Sequence, residues 1–302
     1  MEQKSGGAGY APLYVLAAGT LWGSMGLFVR RLGSTGLGSA EIAQLRCIVT
    51  TAVLFVYLCV RDRSLFRIRP RDIWCFVGTG VLSIVFFNLC YFTTIERTSL
   101  SVAAVLLYTA PAFVILLSAV FFKERITRRK MISLVLTLAG CLCVSGLLRT
   151  AGAISDSTAG GMTPGNILVG IGAGLGYALY SVFGRFALER GYKSLTISFY
   201  TFLFAAAGTV PFVSMSKTAD ALTAGLAQTA FVILFGVVTT VFPYLLYTRG
   251  LEGVENGRAS ILASVEPVVA TLLGILVFHE ILHPDELAGI VLILSAILIS
   301  NT

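Results

Sequence analysis

Charge is scarce along this chain. Asp, Glu, Lys and Arg make up 12% of its 302 residues, about half of what a soluble domain uses to cover its surface. That shortfall excludes a soluble globular protein. It does not signal disorder either, because 56% of the residues are hydrophobic and disordered chains combine low hydrophobicity with high charge. Histidine is rarer still, with two residues in all. Framework cysteines are missing as well: Cys47, Cys59, Cys75, Cys90, Cys141 and Cys143 all fall inside apolar runs. Free cysteine packs there as a small hydrophobe, so a disulfide scaffold is excluded.

What the chain has instead is long apolar stretches. A membrane-spanning helix takes about 20 apolar residues. Ten runs bounded by charge or turn residues suit that role: 11–29, 40–60, 72–92, 98–122, 131–148, 165–188, 194–214, 226–248, 257–278 and 286–300. They are numbered helices 1 to 10, and the expected fold is an all-α integral membrane protein with ten transmembrane helices. The first run follows Lys4 and ends in Arg30-Arg31. It is too long for a secretory signal and lacks a cleavage site, so it reads as a mature helix.

The net charge of +7 raises the question of nucleic acid, but the basic residues lie in short loops rather than on one face. Ten spans put both termini on the same side. The loops of that side carry sixteen Lys and Arg residues, against five in the opposite loops. The positive-inside rule therefore expects both termini in the cytoplasm, with the chain multi-pass in the inner (plasma) membrane and no nucleic-acid partner.

An internal repeat is legible. Sliding residues 72–145 onto 228–301, a constant offset of 156, gives eighteen identities in 74 positions without a gap. Among them are Tyr91 with Tyr247, Glu96 with Glu252, Pro111 with Pro267 and Glu124 with Glu280. Helix 1 fits helix 6 at an offset of 155, which aligns Trp22 with Tyr177 and Arg30 with Arg185. The expected organisation is a cytoplasmic N-terminal tail (1–10), a first five-helix repeat (11–148), an external linker (149–164) and a second five-helix repeat (165–302). Because five is odd, the repeats are expected to be inverted, as in secondary transporters that work by alternating access.

Several motifs recur in this frame: Trp22-Gly23-Ser24 in helix 1, Arg46 in helix 2, and Pro111 followed by Lys123-Glu124 in helix 4. Helix 9 repeats the last pattern with Glu266-Pro267 and then His279-Glu280, and Gly289 follows in helix 10. Together they resemble the drug/metabolite transporter superfamily, in its EamA type, over residues 11–300. The resemblance implies a ten-helix carrier that moves small organic metabolites, often outward, through a cavity between its halves. It implies no cofactor and names no substrate. Tyr177 stands where the first half has Trp22, and Thr201 where it has Arg46, so any role of those residues is one-sided.

Glu266 lies near the middle of helix 9, where a charged carboxylate costs about 2.5–3.5 kcal/mol. It is expected either to exchange a proton, to meet a substrate cation, or to act as interhelical glue. Pro111 and Pro267 each remove a backbone hydrogen bond and are read as hinges, with carbonyls freed near Leu107 and Ala263. Rings with polar tips and a few polar side chains describe an organic-ligand pocket. On that ground Trp22, Asn88, Tyr108, Tyr177, Tyr180 and Tyr244 join Glu266 as candidate substrate-binding residues. Tyr91 and Tyr247, nearer helix ends, equally suit an interfacial aromatic belt. Arg46 either snorkels outward, pairs with Glu41, or meets a substrate carboxylate. The stripes Gly19/Gly23 and Gly170/Gly174/Ala178 are expected to be packing surfaces.

The segment His279-Glu280-Ile281-Leu282-His283 matches the HExxH pattern of metalloproteases, which needs both histidines on one helical face. Pro284 follows at once and works against helix there, so no metal is expected. The function read from the sequence is a transporter, not an enzyme. It would export or exchange a small amphipathic metabolite, such as an amino acid or a drug-like compound, with proton coupling through Glu266. A lipid scramblase and an intramembrane zinc hydrolase are the competing classes.

Overall fold

The computed structural model describes residues 10–150 and 163–301. Nearly all of the expected tail and most of the expected linker, which carry Lys4 and residues 151–162, lie outside the described residues. The long helices are α1 (Ala11–Gly33), α2 (Ser39–Arg61), α3 (Pro70–Arg97), α4 (Leu100–Phe122) and α5 (Arg128–Val144). They continue with α6 (Pro164–Glu189), α7 (Ser194–Phe212), α8 (Leu226–Gly250), α9 (Asn256–Phe278) and α10 (Pro284–Asn301). Among the described residues there is no strand, and nine of these helices are long and apolar enough to cross a membrane. The other is α5, whose 17 residues make a rod of about 26 Å at 1.5 Å per residue. It lies along α10, where Gly140 and Gly289 let the backbones touch: a Cβ on either would come within 2.8 Å of the other's carbonyl oxygen.

Local chemistry starts the helices. The hydroxyls of Ser99, Thr127 and Thr163 accept from the amides of Val102, Lys130 and Asn166 at the first turns of α4, α5 and α6, which is ordinary N-capping. Pro164 opens α6, where its missing N–H would be unpaired in any case.

The backbone departs from regular helix at positions that recur with the offset of 156. Helix α4 breaks at Tyr108 and Thr109, between Leu100–Leu107 and Ala110–Phe122. Helix α9 breaks at Ser264, between Asn256–Ala263 and Val265–Phe278. Pro111 and Pro267 sit in the first turn of the second segment of each, the place where proline is tolerated and the preceding turn is interrupted. Both helices end on a left-handed residue, Lys123 (φ 55°) and His279 (φ 56°). In both, the next amide folds back at 3.2 Å, Glu124 onto Ser118 O and Glu280 onto Gly274 O. Helices α3 and α8 each contain a wide, π-helical stretch, Gly78–Val85 and Val237–Val241. The first helices of the halves differ: α1 breaks at Ser24, whereas α6 runs unbroken for 26 residues.

Packing follows the same exchange. Helix α1 lies against α8 and α9, and α6 against α3 and α4; α2 meets α7, α4 meets α9, and α5 meets α10. The glycine stripes are the contact surfaces. Gly19 abuts Ala263 and Val265, and Gly23 abuts Glu266 O, at the break in α9. Gly174 abuts Leu106 O and Ala110 N at the break in α4. Each half thus packs its first helix into the broken helix of the other.

Candidate functional site

Helices α1, α3, α6 and α8 converge on an aromatic box at the centre. The Trp22 ring lies 5.2 Å from Tyr244, 5.4 Å from Tyr247 and 6.2 Å from Tyr177, centroid to centroid. Tyr180 meets Tyr244 edge to face at 4.9 Å. With Ser83, Ile84 and Phe87 of α3 and Ser181 of α6, these rings enclose a cavity of about 10 Å³, roughly the space of one water.

The polar tips fall into two groups. Tyr180 shares a 2.6 Å hydrogen bond with Thr248, and Tyr247 a 2.8 Å bond with Ser181, so these hydroxyls tie α6 to α8. The hydroxyls of Tyr177 and Tyr244 make no hydrogen bond among the described residues.

Two ionisable side chains lie inside the spanning helices, Arg46 in α2 and Glu266 in α9. Arg46 of α2 is 5% exposed. Its Nη1 touches the Met25 sulfur at 3.3 Å, and its Nε is buried with no hydrogen-bond partner. It therefore neither snorkels nor pairs with Glu41, whose carboxylate accepts from the Ser214 amide instead. Glu266, two residues past the break in α9, is half-buried and makes no hydrogen bond or ion pair among the described residues. Its backbone carbonyl faces α1, where a Cβ on Gly23 would meet it at 2.7 Å.

The structure therefore brings Trp22, Tyr177, Tyr180 and Tyr244 into one wall, with Tyr108 packed against the same core. Asn88 is buried, but its amide donates to Ile84 O of its own helix at 2.8 Å, and α3 lines the cavity through Ser83, Ile84 and Phe87 instead. No pattern in the sequence marked Ser83 or Phe87. Tyr247 is 2% exposed and belongs to the box, not to an aromatic belt. Its spacing of three from Tyr244 was the available clue, since such residues share a helical face. A second, open cleft of about 510 Å³ lies where α1 ends and α8 begins, lined by Thr35, Leu37, Lys217, Asp220 and Gln228 among others.

The HExxH pattern is taken apart by the fold. His279 is the left-handed residue that ends α9, Pro284 begins α10, and Glu280 is engaged by Arg30 at 2.6 Å. The helical face that the pattern requires is not formed.

Comparison with known proteins agrees with this architecture. The sequence model of the EamA-like transporter family matches residues 9–146 and again 164–302. An uncharacterized transporter of Archaeoglobus fulgidus is 30% identical, with 96% of each chain covered. The uncharacterized transporter YwfM of Bacillus subtilis is 25% identical over 95% of this chain and 92% of its own length. The uncharacterized inner membrane transporter YicL of Salmonella typhimurium is also 25% identical, over 95% of this chain and 94% of its own. One solved crystal structure superposes with a TM-score of 0.74 over 96% of both chains at 17% identity, a likeness of fold alone. A family match that covers the chain twice, once in each half, makes this protein a member of the EamA-like transporter family, within the drug/metabolite transporters, and a multi-pass membrane transporter.

Proposed function

We propose that this protein is a secondary carrier for a small amphipathic organic metabolite, of the amino-acid or drug-like kind. It works by alternating access between two inverted five-helix halves and exports its substrate across the plasma membrane, with both termini cytoplasmic. The observation that carries the substrate reading is the pairing of unlike features around one box. Among the described residues, Arg46 is a buried guanidinium with an unpartnered Nε, and Glu266 is a carboxyl group without a hydrogen bond. The rings of Trp22, Tyr177 and Tyr244 pack on one another in the box. A buried charge left without a counter-ion is costly, so a substrate that brings a carboxylate, a cationic group and an apolar body answers all three. Glu266 also serves as the proton-coupling group, because a carboxylate at that depth is tolerated when it holds a proton or meets a cation. Pro111 and Pro267 mark the joints at which α4 and α9 bend between states.

Counterflow of labelled amino acids, amines and nucleosides in proteoliposomes tests this, with fluorescent-lipid scrambling as the control. Glu266→Gln is expected to lower the exchange rate of the accepted solute by about tenfold or more, a difference of about 1.4 kcal/mol, and to flatten its dependence on pH. An unchanged rate and pH profile would remove Glu266 from the mechanism.

A further inference from the structure

The two ends of the molecule are fastened differently. At the end where α4 finishes and α9 starts, Glu124 reaches across from α4 to the first two amides of α9. It accepts from Asn256 N at 2.8 Å and Gly257 N at 3.3 Å. Helix α9 has no capping side chain of its own, so a residue of the other half satisfies its orphan donors and meets the positive end of its dipole. Lys130 approaches Glu124 at 3.4 Å and Glu255 at 2.6 Å, and the Glu124 side chain is only 9% exposed. Beside it, Arg185 of α6 donates to the carbonyls of Leu251 and Val254 in the turn between α8 and α9. These bonds sew α4, α6 and the start of α9 together.

The opposite end holds matching residues and uses them otherwise. Glu280 stands 156 positions after Glu124, and Arg185 stands 155 after Arg30. Here the two side chains hold each other, Arg30 Nη2 to Glu280 Oε1 at 2.6 Å, with 60% and 49% of their side chains exposed. The amides equivalent to those of Asn256 and Gly257 belong to Leu100 and Ser101, the first two of α4. Ser99 caps Val102, and among the described residues the amides of Leu100 and Ser101 have no acceptor. The carbonyls equivalent to those of Leu251 and Val254 are those of Ile95 and Thr98.

We propose that Glu124/Arg185 and Glu280/Arg30 are the two halves of a reciprocal latch, acting as positioning residues for transport. In the state described, the Glu124 end is latched, and the Glu280 end is released with its two latch residues parked on each other. In the alternate state the Arg30–Glu280 pair parts. Glu280 moves to the amides of Leu100 and Ser101, and Arg30 to the carbonyls of Ile95 and Thr98, while the Glu124 and Arg185 bonds let go. An exposed ion pair is weak and therefore easily surrendered. The exchange trades one set of charge-assisted hydrogen bonds for an equivalent set. That keeps the two states close in free energy, as a protein that must populate both requires. The latch rests on reading the halves as an inverted pair.

The experiment follows the labelling rate of single cysteines by a membrane-impermeant maleimide, in the full-length chain with its six native cysteines replaced. Ser118→Cys reports the Glu124 end, where Ser118 is fully buried. Ser101→Cys reports the start of α4 at the Glu280 end. Glu124→Ala is expected to speed labelling at 118 by about fivefold or more and to slow it at 101, a population shift of the size that loss of such bonds produces. Arg185→Gln should give the same pattern, so the proposal does not stand on one variant's folding. Glu280→Ala should slow labelling at 118 by about tenfold and leave 101 reactive. Parent-like protection at 118 in both Glu124→Ala and Arg185→Gln overturns the latch. So does parent-like labelling at 118 in Glu280→Ala. The exposed equivalent positions Arg125→Cys and Ile281→Cys, labelled in sealed cells, separate the two layers of the argument. Reaction from the same side overturns the inverted-pair reading. Reaction from opposite sides, with labelling at 118 unaltered by Glu124→Ala, overturns the latch alone.

Discussion

The tyrosines of the central box differ in what their hydroxyls do, and that difference separates stability from recognition. The hydroxyls of Tyr180 and Tyr247 bond to Thr248 and Ser181, whereas those of Tyr177 and Tyr244 have no such partner among the described residues. Tyr180→Phe and Tyr247→Phe should each lower stability by about 1 kcal/mol, the usual net value of one hydrogen bond, with little change in substrate selectivity. Tyr177→Phe and Tyr244→Phe should leave the melting temperature in detergent near that of the parent and alter the apparent affinity for solute. Reversal of that pattern across the four variants would mean that the hydroxyls have been assigned to the wrong tasks. At this scale the sequence was informative about residue type and poor about direction. It marked Trp22, Tyr177, Tyr180 and Tyr244 because polar-tipped rings stand out in apolar runs. It left Arg46 open among three fates, because snorkelling, pairing and burial differ only in what the neighbouring helices offer. The Met25 sulfur, offered by α1 rather than by Arg46's own helix, lies at its tip.

Helices meet at glycines, and the contact tolerates nothing larger. A Cβ on Gly23 would lie 2.7 Å from Glu266 O and 2.7 Å from Val269 Cβ, so Gly23→Ala must push α1 away from the break in α9. Gly26, three residues on, has no heavy atom within 4 Å of the same construction. Gly23→Ala is therefore expected to destabilise by about 1–3 kcal/mol, as overpacking does. Gly26→Ala should be neutral or slightly stabilising through its better helix propensity. Equal melting temperatures for the two variants would contradict the packing described. Proline chemistry made the breaks in α4 and α9 legible beforehand, and the four-residue spacing of small side chains did the same for the contact stripes. The break at Ser24 and the π-helical stretches of α3 and α8 were not foreseen. The Gly23-Ser24 pair was the available clue to the first, since such pairs kink helices, whereas a wide turn in a helix depends on what packs against it.

Seen whole, the molecule is two copies of a broken-helix unit that complete each other: α1 fills the kink of α9, and α6 fills the kink of α4. The proposed inversion of the copies predicts where their loops face. Cysteines placed in residues 61–71 and in 217–225 should react with an impermeant reagent from opposite sides of intact cells. Labelling of both segments from one side would refute the inverted plan, and with it the alternating-access reading. The charge asymmetry of the loops further predicts that 61–71 is the cytoplasmic one.

The sequence by itself determined the medium, the number and order of the helices and the duplication. Apolar length, loop charge and repeated spacing are properties of the chain that hold before any packing occurs. Only the tertiary structure decided which polar groups are satisfied and which have no partner among the described residues, and which end of the molecule is fastened. Hydrogen bonds such as Tyr247 to Ser181, or Glu124 to the start of α9, join residues 66 and 132 positions apart. A directional bond of a few ångströms forms or fails on the relative placement of whole helices, and no local pattern along the chain encodes that placement.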